Sequence, residues 1–311
     1  MNLFITCLLL LAGFVLLVKG SDIFVDGSAS IAKIIGIPSI IVGLTIVSLG
    51  TSAPEAAVSI TAGIRGSNEI AISNLVGSNT FNLLCVAGMS ALISPFAVDR
   101  IVMKRDFPIC LGIMALTVFM CITGRTVSRG EGILLLAIFV IYIAYLVYSA
   151  LKNRKSLTDD EKPMPVSKSL IFIIVGIAAI IFGGQFVVNS AQEIARVFKM
   201  TETLIGVTIV AIGTSLPELV TSVVAAKKGE SSLAIGNVIG SNILNLAFVL
   251  GMSSSFNSIA VGDEAFMDAV IMLGVNIIGY ILCLTSKRLG RSEGAFLVAM
   301  YFAYTAYLLL R

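Results

Sequence analysis

The chain has 311 residues, of which 57% are hydrophobic and only 13% are charged, and its mean hydropathy is +1.02. This composition is far more apolar than that of a soluble globular domain and excludes one. The net charge is only +3 and the basic residues lie in short loops, so the charge does not indicate nucleic-acid binding. Histidine, the commonest general base and transition-metal ligand, is absent.

Apolar runs long enough to cross a bilayer recur along the whole chain. The first run, Leu3–Val18, has no basic residue before it and no small-residue cleavage site after it, so we expect a retained span rather than a signal peptide. We predict an all-α polytopic membrane protein with the lipid bilayer as its surroundings. Its ten predicted transmembrane helices are residues 2–28, 38–64, 69–94, 106–123, 131–150, 168–195, 201–226, 232–255, 265–285 and 292–310.

One sizeable polar stretch, KNRKSLTDDEKPMPVSK at Lys152–Lys168, interrupts the apolar runs. Its charges and two prolines predict a loop. We therefore expect a single membrane domain, residues 1–311, with a first repeat at 1–150, a charged cytoplasmic loop at 151–167 and a second, inverted repeat at 168–311.

A sequence motif that ends in an acidic residue occurs twice inside the apolar stretches. Residues 43–55 read GLTIVSLGTSAPE and residues 206–218 read GVTIVAIGTSLPE, with nine of the thirteen positions identical. A second pair follows at the same offset, SNLVGSNTFN at 73–82 and GNVIGSNILN at 236–245. Because a carboxylate in hydrocarbon is costly and marks ion or substrate paths, the duplicated acids indicate one shared cation site.

The two halves align over a long range with a constant offset of 163 residues, as Gly20 and Gly183 illustrate. Each repeat holds five predicted spans. Because this number is odd, the second copy inserts upside down relative to the first, which is the inverted-repeat plan of secondary transporters.

Basic residues predict the orientation in the membrane. Alternate loops, beginning with the loop that contains Lys33, carry fourteen Lys and Arg residues, whereas the loops on the other side and the C-terminus carry six. We therefore expect both termini outside the cytoplasm and the central loop inside it, in the inner (plasma) membrane of the cell.

Pro54 and Pro217 lie within membrane-deep helical segments. Proline donates no hydrogen bond, so each is expected to free carbonyl groups near Gly50 and Gly213, where the adjacent glycines would let the backbone leave the helix. Freed carbonyls, Thr and Ser hydroxyls and carboxylates are hard oxygen ligands, which suit calcium or sodium rather than zinc or copper. The nearby oxygen donors are Glu55, Glu218, Thr51, Ser52, Thr214, Ser215, Ser78, Asn82, Ser241 and Asn245, with carbonyls near Ser48 and Ala211.

The charge of such a site predicts its coupling. Two glutamates about 6 Å apart at an effective dielectric near 20 repel by roughly 3 kcal/mol. One calcium ion, two sodium ions or two protons neutralise them. A site that must be neutral before it moves through the membrane makes these cations compete, which is the physical basis of antiport.

The paired motifs GTSAPE with GSNTFN and GTSLPE with GSNILN resemble the two alpha-repeats of the sodium/calcium exchanger branch of the calcium/cation antiporter superfamily, over essentially the full length. The resemblance implies ten helices with both termini outside, and slanted first and sixth helices that slide past the rest. It also implies exchange of about three sodium ions for one calcium, which is electrogenic. We expect the protein to function as a monomer. The resemblance implies that Glu55 and Glu218 are the central ligands. The implied flanking cation sites use Thr51, Ser52, Thr214 and Ser215 with the carbonyls of Ser48 and Ala211, completed by Ser78, Asn82, Ser241 and Asn245.

One position separates subgroups of this superfamily. Potassium-dependent exchangers resemble the members that place Asp where Asn245 stands, so asparagine here argues against potassium co-transport.

Other functions remain open at the level of sequence. A proton-driven calcium antiporter would use the same two glutamates. A passive cation channel is disfavoured by the inverted repeats. The sequence has no zinc motif, no phosphate loop and no activated nucleophile, so we predict neither an enzyme nor a cofactor. We interpret four asparagines at matching positions of the two repeats as residues that pack the helices or support the ligands, rather than as direct ligands. They are Asn74, Asn79, Asn237 and Asn242.

Overall fold

The computed structural model describes residues 3–152, 163–200, 211–286 and 288–310. These residues are almost entirely helical, as their apolar composition and the need to satisfy backbone hydrogen bonds within the membrane require. The helices are α1 (Leu3–Ile35), α2 (Ser39–Thr51), α3 (Ala53–Ile64), α4 (Asn68–Ile93), α5 (Val102–Gly124), α6 (Arg129–Lys152), α7 (Val166–Val197), α8 (Ala211–Thr214), α9 (Leu216–Lys227), α10 (Ser231–Phe256), α11 (Asp263–Ser286) and α12 (Arg291–Leu310).

Within the described residues, eight continuous helices are long and apolar enough to cross a membrane. A further span consists of α2 and α3, which are bent by 58° at their junction. The predicted span 201–226 begins outside the described residues, and α8 and α9 are its described part. The all-α polytopic fold is confirmed.

Two short strand pairs show that the repeats are inverted. β1 (Phe96–Ala97) pairs with β4 (Arg288–Leu289), and β2 (Thr126–Val127) pairs with β3 (Ile259–Ala260). Because α5 spans the membrane between β1 and β2, the two pairs lie on opposite faces. β1 and β3 occupy equivalent places in the two repeats, 163 residues apart, yet belong to different pairs. Equivalent segments therefore lie on opposite sides of the membrane.

The centre of the molecule consists of α4 and α10, which are the most buried of the continuous spans that the structure describes. Small residues allow other helices to approach them. A Cβ atom at Gly236 of α10 would lie 2.9 Å from the carbonyl oxygen of Ile40 and 3.0 Å from the Cα atom of Gly43, both in α2. The broken helix is thus held in backbone contact with the central helix.

Helices α1 and α7 pack against each other in antiparallel orientation through a seam of small residues. This glycine seam consists of Gly13, Gly20 and Gly27 of α1 against Gly183, Gly176 and Ser169 of α7. A Cβ atom at Gly13 would lie 2.9 Å from the carbonyl oxygen of Gly183, and one at Gly27 would lie 2.8 Å from that of Ser169. Close helix packing in membranes commonly uses such residues.

Helix α1 is longer than predicted, because it continues to Ile35 rather than ending at residue 28. Two acids within it, Asp22 and Asp26, bind the side chain of Lys228, which follows α9; the Nζ–Oδ1 distances are 2.8 and 2.6 Å. Partial burial opposes the charge on Lys228, but the hydrogen bonds from Asp22 and Asp26 outweigh it and raise the pKa of this lysine above its usual value.

Acidic residues stabilise the starts of α6 and α12, as their positions in the sequence indicate. Glu131 Oε2 accepts hydrogen bonds from the backbone N–H and the hydroxyl of Ser128, each at 2.7 Å. Glu293 Oε2 accepts one from the backbone N–H of Gly290 at 3.1 Å. Both contacts satisfy donors that a helix start leaves unpaired.

Candidate cation site

The two broken helices place both glutamates in equivalent positions. Glu55 lies in the first turn of α3 and Glu218 in the first turn of α9, each immediately after a proline. A proline in the first turn costs no hydrogen bond because that N–H has no partner within the helix. Unpaired N–H groups and the helix dipole stabilise negative charge there.

The backbone leaves the helix at serine rather than at glycine, which corrects the sequence-based expectation. Ser52, between α2 and α3, has φ −84° and ψ 7°, and Ser215 has φ −93° and ψ 7°. Gly50 lies inside α2, where a Cβ atom would be 3.1 Å from both Phe24 and Ile177. A side chain at this position would press on Phe24 of α1 and Ile177 of α7, so glycine favours close packing of the three helices.

Each half of the chain provides a hydroxyl group for the carboxylate of the other half. Ser52 Oγ, from the first half, donates to Glu218 Oε1 at 2.6 Å and lies 2.8 Å from Ser241 Oγ. All three residues are fully buried.

The reciprocal contact has the same form. Ser215 Oγ, from the second half, donates to Glu55 Oε1 at 2.9 Å and lies 3.2 Å from Ser78 Oγ. The two carboxylates also interact electrostatically. The sequence-predicted ligands Glu55, Glu218, Ser52, Ser215, Ser78 and Ser241 are therefore brought together in one buried cluster.

Four buried oxygen atoms, on the two glutamates and on the asparagines one helical turn after Ser78 and Ser241, have no hydrogen-bond partner among the described residues. They are Glu55 Oε2, Glu218 Oε2, Asn82 Oδ1 and Asn245 Oδ1. All are acceptors, and burying an acceptor without a donor costs about 1–3 kcal/mol. A cation bound to these oxygens would remove that cost.

Asn82 and Asn245 lie where the central helices change their hydrogen-bond pattern. Asn82 begins the π-helical segment Asn82–Ala87 of α4, and Asn245 is the second residue of the corresponding segment Leu244–Leu250 of α10. Such segments frequently occur at functional sites. The sequence alone did not predict them.

A supporting network surrounds the glutamates. Thr51 Oγ1 donates to Asn237 Oδ1 at 2.9 Å, and Asn237 Nδ2 donates to Ser222 Oγ at 3.0 Å. In the other half, Asn74 Nδ2 donates to Ser59 Oγ at 2.8 Å. Sequence reasoning missed both serines, although each follows its glutamate by four residues and the pair obeys the 163-residue offset.

The remaining predicted ligands differ in how available their oxygens are. The Ser48 carbonyl already accepts the backbone N–H of Ser52 at 2.9 Å, and the Thr51 hydroxyl oxygen lies 3.4 Å from it. Thr214 is buried at the end of α8, and Ala211 begins that helix. The assignment of these residues as ligands stays a prediction.

The chemistry of the cluster is that of hard oxygen donors. Among the described residues there is no group of three or more His, Cys, Asp or Glu side chains that could hold a metal ion. Two carboxylates combined with neutral oxygens suit calcium or sodium ions. A cavity of about 70 Å³ between α4 and α12 is lined in part by Asn74 and Ser78, at the edge of the cluster.

Comparison with known proteins agrees with this geometry. A family model described as sodium/calcium exchanger protein matches residues 5–148 and 168–310. The chain is 36% identical to the putative antiporter CaxA of Alkalimonas amylolytica, over 96% of this chain and 97% of the relative. It is 34% identical to the inner membrane protein YrbG of Escherichia coli (strain K12), over 96% of this chain and 95% of the relative.

A solved structure has the same fold. The sodium-calcium exchanger NCX_Mj, soaked with zero Na⁺ and Ca²⁺, superimposes with a TM-score of 0.87 at 31% sequence identity, and the match covers 98% of this chain and 99% of the other.

Proposed function

Since this chain belongs to the sodium/calcium exchanger protein family, we propose that it exchanges sodium for calcium by alternating access, with both cations competing for one central carboxylate site. The family consists of transporters rather than enzymes, and the chain is a multi-pass membrane protein. The observation that carries the proposal is the set of four buried oxygens without partners at Glu55, Glu218, Asn82 and Asn245.

Charge compensation supports exchange rather than leak. The side-chain donors to the carboxylates of Glu55 and Glu218 are neutral hydroxyls, among them Ser215 at 2.9 Å from Glu55 and Ser52 at 2.6 Å from Glu218. These donors leave two negative charges to be balanced when both groups are ionised. One Ca²⁺ balances both, and so do two Na⁺. An uncompensated charge in the membrane is costly. A site whose two negative charges are balanced by bound cations therefore changes its access from one membrane face to the other more readily than an empty site.

The proposed ligands fall into two sets. Glu55 and Glu218 bind the central calcium ion, together with the amide oxygens of Asn82 and Asn245. The flanking sodium sites use the remaining hydroxyls and carbonyls of the cluster, namely Thr51, Ser52, Thr214, Ser215, Ser78 and Ser241, with the carbonyls of Ser48 and Ala211.

The test is calcium uptake by proteoliposomes under a sodium, a proton or a potassium gradient applied separately. We expect an outward sodium gradient alone to drive uptake. Flux that follows only the pH gradient would replace sodium by protons as the counter-ion. Two protons also neutralise the glutamates, which makes the proton-driven antiporter the second candidate.

Conservative variants identify the site in the same assay. Glu55→Gln and Glu218→Gln remove one negative charge each and should abolish exchange without unfolding the protein. Glu131→Gln is the matched control, because Glu131 contacts Ser128 at the start of α6 and lies outside the site. Wild-type exchange rates in either site variant would refute the proposed centre.

We further propose that the protein lies in the inner membrane with both termini outside the cytoplasm and that one chain suffices for transport. The distribution of basic residues supports the orientation. A C-terminal alkaline phosphatase fusion should be active only if that terminus is outside. Exchange should persist at protein dilutions that leave single chains in each vesicle.

A further inference from the structure

Four asparagines contact one another where α4 packs against α10. They are Asn79 and Asn82 of α4 and Asn242 and Asn245 of α10, and all four are fully buried. Their hydrogen bonds run between the two helices and follow the same pattern in both directions.

The contacts assign different roles to the two members of each pair. Asn82 Nδ2 donates to Asn242 Oδ1 at 3.1 Å, and Asn245 Nδ2 donates to Asn79 Oδ1 at 3.0 Å. A side-chain amide carries its donors on nitrogen and its acceptor on oxygen. Once the nitrogens of Asn82 and Asn245 are held in this way, their oxygens face the other direction, where they are buried without a partner.

The outer pair is itself fixed in orientation. Asn79 Nδ2 donates to the backbone carbonyl of Asn242 at 3.2 Å, and Asn242 Nδ2 donates to that of Asn79 at 3.4 Å. Asn242 Nδ2 also lies 3.4 Å from Asn276 Oδ1 of α11. Rotating either outer amide by half a turn would set oxygen against oxygen at a carbonyl, so each must present its oxygen to the inner asparagine.

We propose that Asn79 and Asn242 are positioning residues that turn the oxygens of Asn245 and Asn82, respectively, toward the transported cation. They bind no ion themselves. The inference rests on the proposed function, because it assigns a purpose to the two inner amide oxygens only if a cation binds there. Without the outer residues, each inner amide is free to rotate and to present an N–H group, which repels a cation.

The expected effect is on calcium affinity. Residues that orient metal ligands typically contribute about 10- to 100-fold to metal affinity. Asn242→Ala should raise the KM for calcium by roughly that factor. The rate at saturating calcium should change much less, because both carboxylates remain.

A double-mutant cycle separates positioning from a general structural role. If Asn242 acts through Asn82, then Asn242→Ala should have little further effect on the KM in an Asn82→Ala background. The same substitution should retain its full effect in an Asn245→Ala background, which is the matched control. The cycle of Asn79→Ala with Asn245→Ala repeats the test in the other half and replaces the first if Asn242→Ala does not fold, as judged by thermal unfolding in detergent.

The outcomes distinguish this inference from the proposed function. An effect of Asn242→Ala that is equally large with and without Asn82 would overturn positioning while leaving exchange intact. An unchanged KM in both Asn242→Ala and Asn82→Ala would also overturn it. A wild-type protein that shows no calcium flux under any gradient would overturn the proposed function first.

Discussion

The crossed serine–glutamate contacts predict how strongly protons compete with calcium. Ser52 Oγ donates to Glu218 Oε1 at 2.6 Å, and both groups are fully buried. Ser52→Ala removes this donor without adding volume. Because the hydroxyl stabilises the ionised carboxylate more than the protonated one, its loss favours protonation.

The size of the effect follows from the charge of the acceptor. A hydrogen bond to a charged group is worth about 1.5–3 kcal/mol. One pH unit corresponds to about 1.4 kcal/mol. Acid should therefore inhibit Ser52→Ala at a pH roughly one to two units higher than it inhibits the wild type. Ser215→Ala should shift the midpoint in the same direction through Glu55.

The measurement is calcium flux into proteoliposomes over a pH series at constant sodium gradient and constant calcium. Ser59→Ala is the matched control, because its hydroxyl is also fully buried but accepts from Asn74 Nδ2 instead of donating to a carboxylate. An unchanged or lower midpoint in Ser52→Ala would refute the reasoning, as would an equal shift in Ser59→Ala.

Two further predictions concern the packing of α1. Gly183→Ala should lower the free energy of unfolding by about 1–3 kcal/mol, measured by thermal unfolding, because the added Cβ atom meets backbone atoms of α1. Gly112 has open space around it, so Gly112→Ala should be neutral or slightly stabilising in that assay. Equal effects would contradict the close packing. Lys228→Gln should cost at most about 1 kcal/mol, and less at high salt, because it breaks partly exposed ion pairs. Because the pKa of Lys228 is raised, its side chain stays charged until the pH rises through that value, so the loss of stability in Lys228→Gln should not vary around neutral pH. A loss of stability that does not depend on salt would argue against the ion pairs.

Duplication made much of the site predictable from sequence. Glu55 and Glu218 can be identified from the sequence because each is an acidic residue in an apolar run, follows a proline and has a copy 163 residues away. The pairing across the halves was not predictable, because no sequence signal says that Ser52 contacts Glu218 rather than Glu55. That choice depends on how two inverted repeats meet in space.

The end of α1 was missed for a different reason. Asp22 and Asp26 interrupt the apolar run, yet both form ion pairs with Lys228 and the helix continues. At 33 residues, α1 is about 50 Å long, which exceeds the roughly 30 Å hydrocarbon core, so it must tilt or project beyond it. Apolar length alone gives no information on the part of a helix that packs outside the hydrocarbon.

The two-residue strand pairs were also not predicted. Segments such as Phe96–Ala97 are too short to show alternation, and their partners come from the other repeat. They nevertheless give the most direct demonstration of inversion.

The glycine seam between α1 and α7 has a mechanical consequence. Its contacts recur every seven residues, and at each of them a carbonyl oxygen of α7 lies 2.8–3.2 Å from the place that a Cβ atom of α1 would occupy, so the two backbones have little room to rotate against each other. We infer that α1 and α7 move together as one rigid unit that spans the membrane. Because each of these helices runs from one membrane face to the other, a displacement of the pair at one face would also change its position at the opposite face.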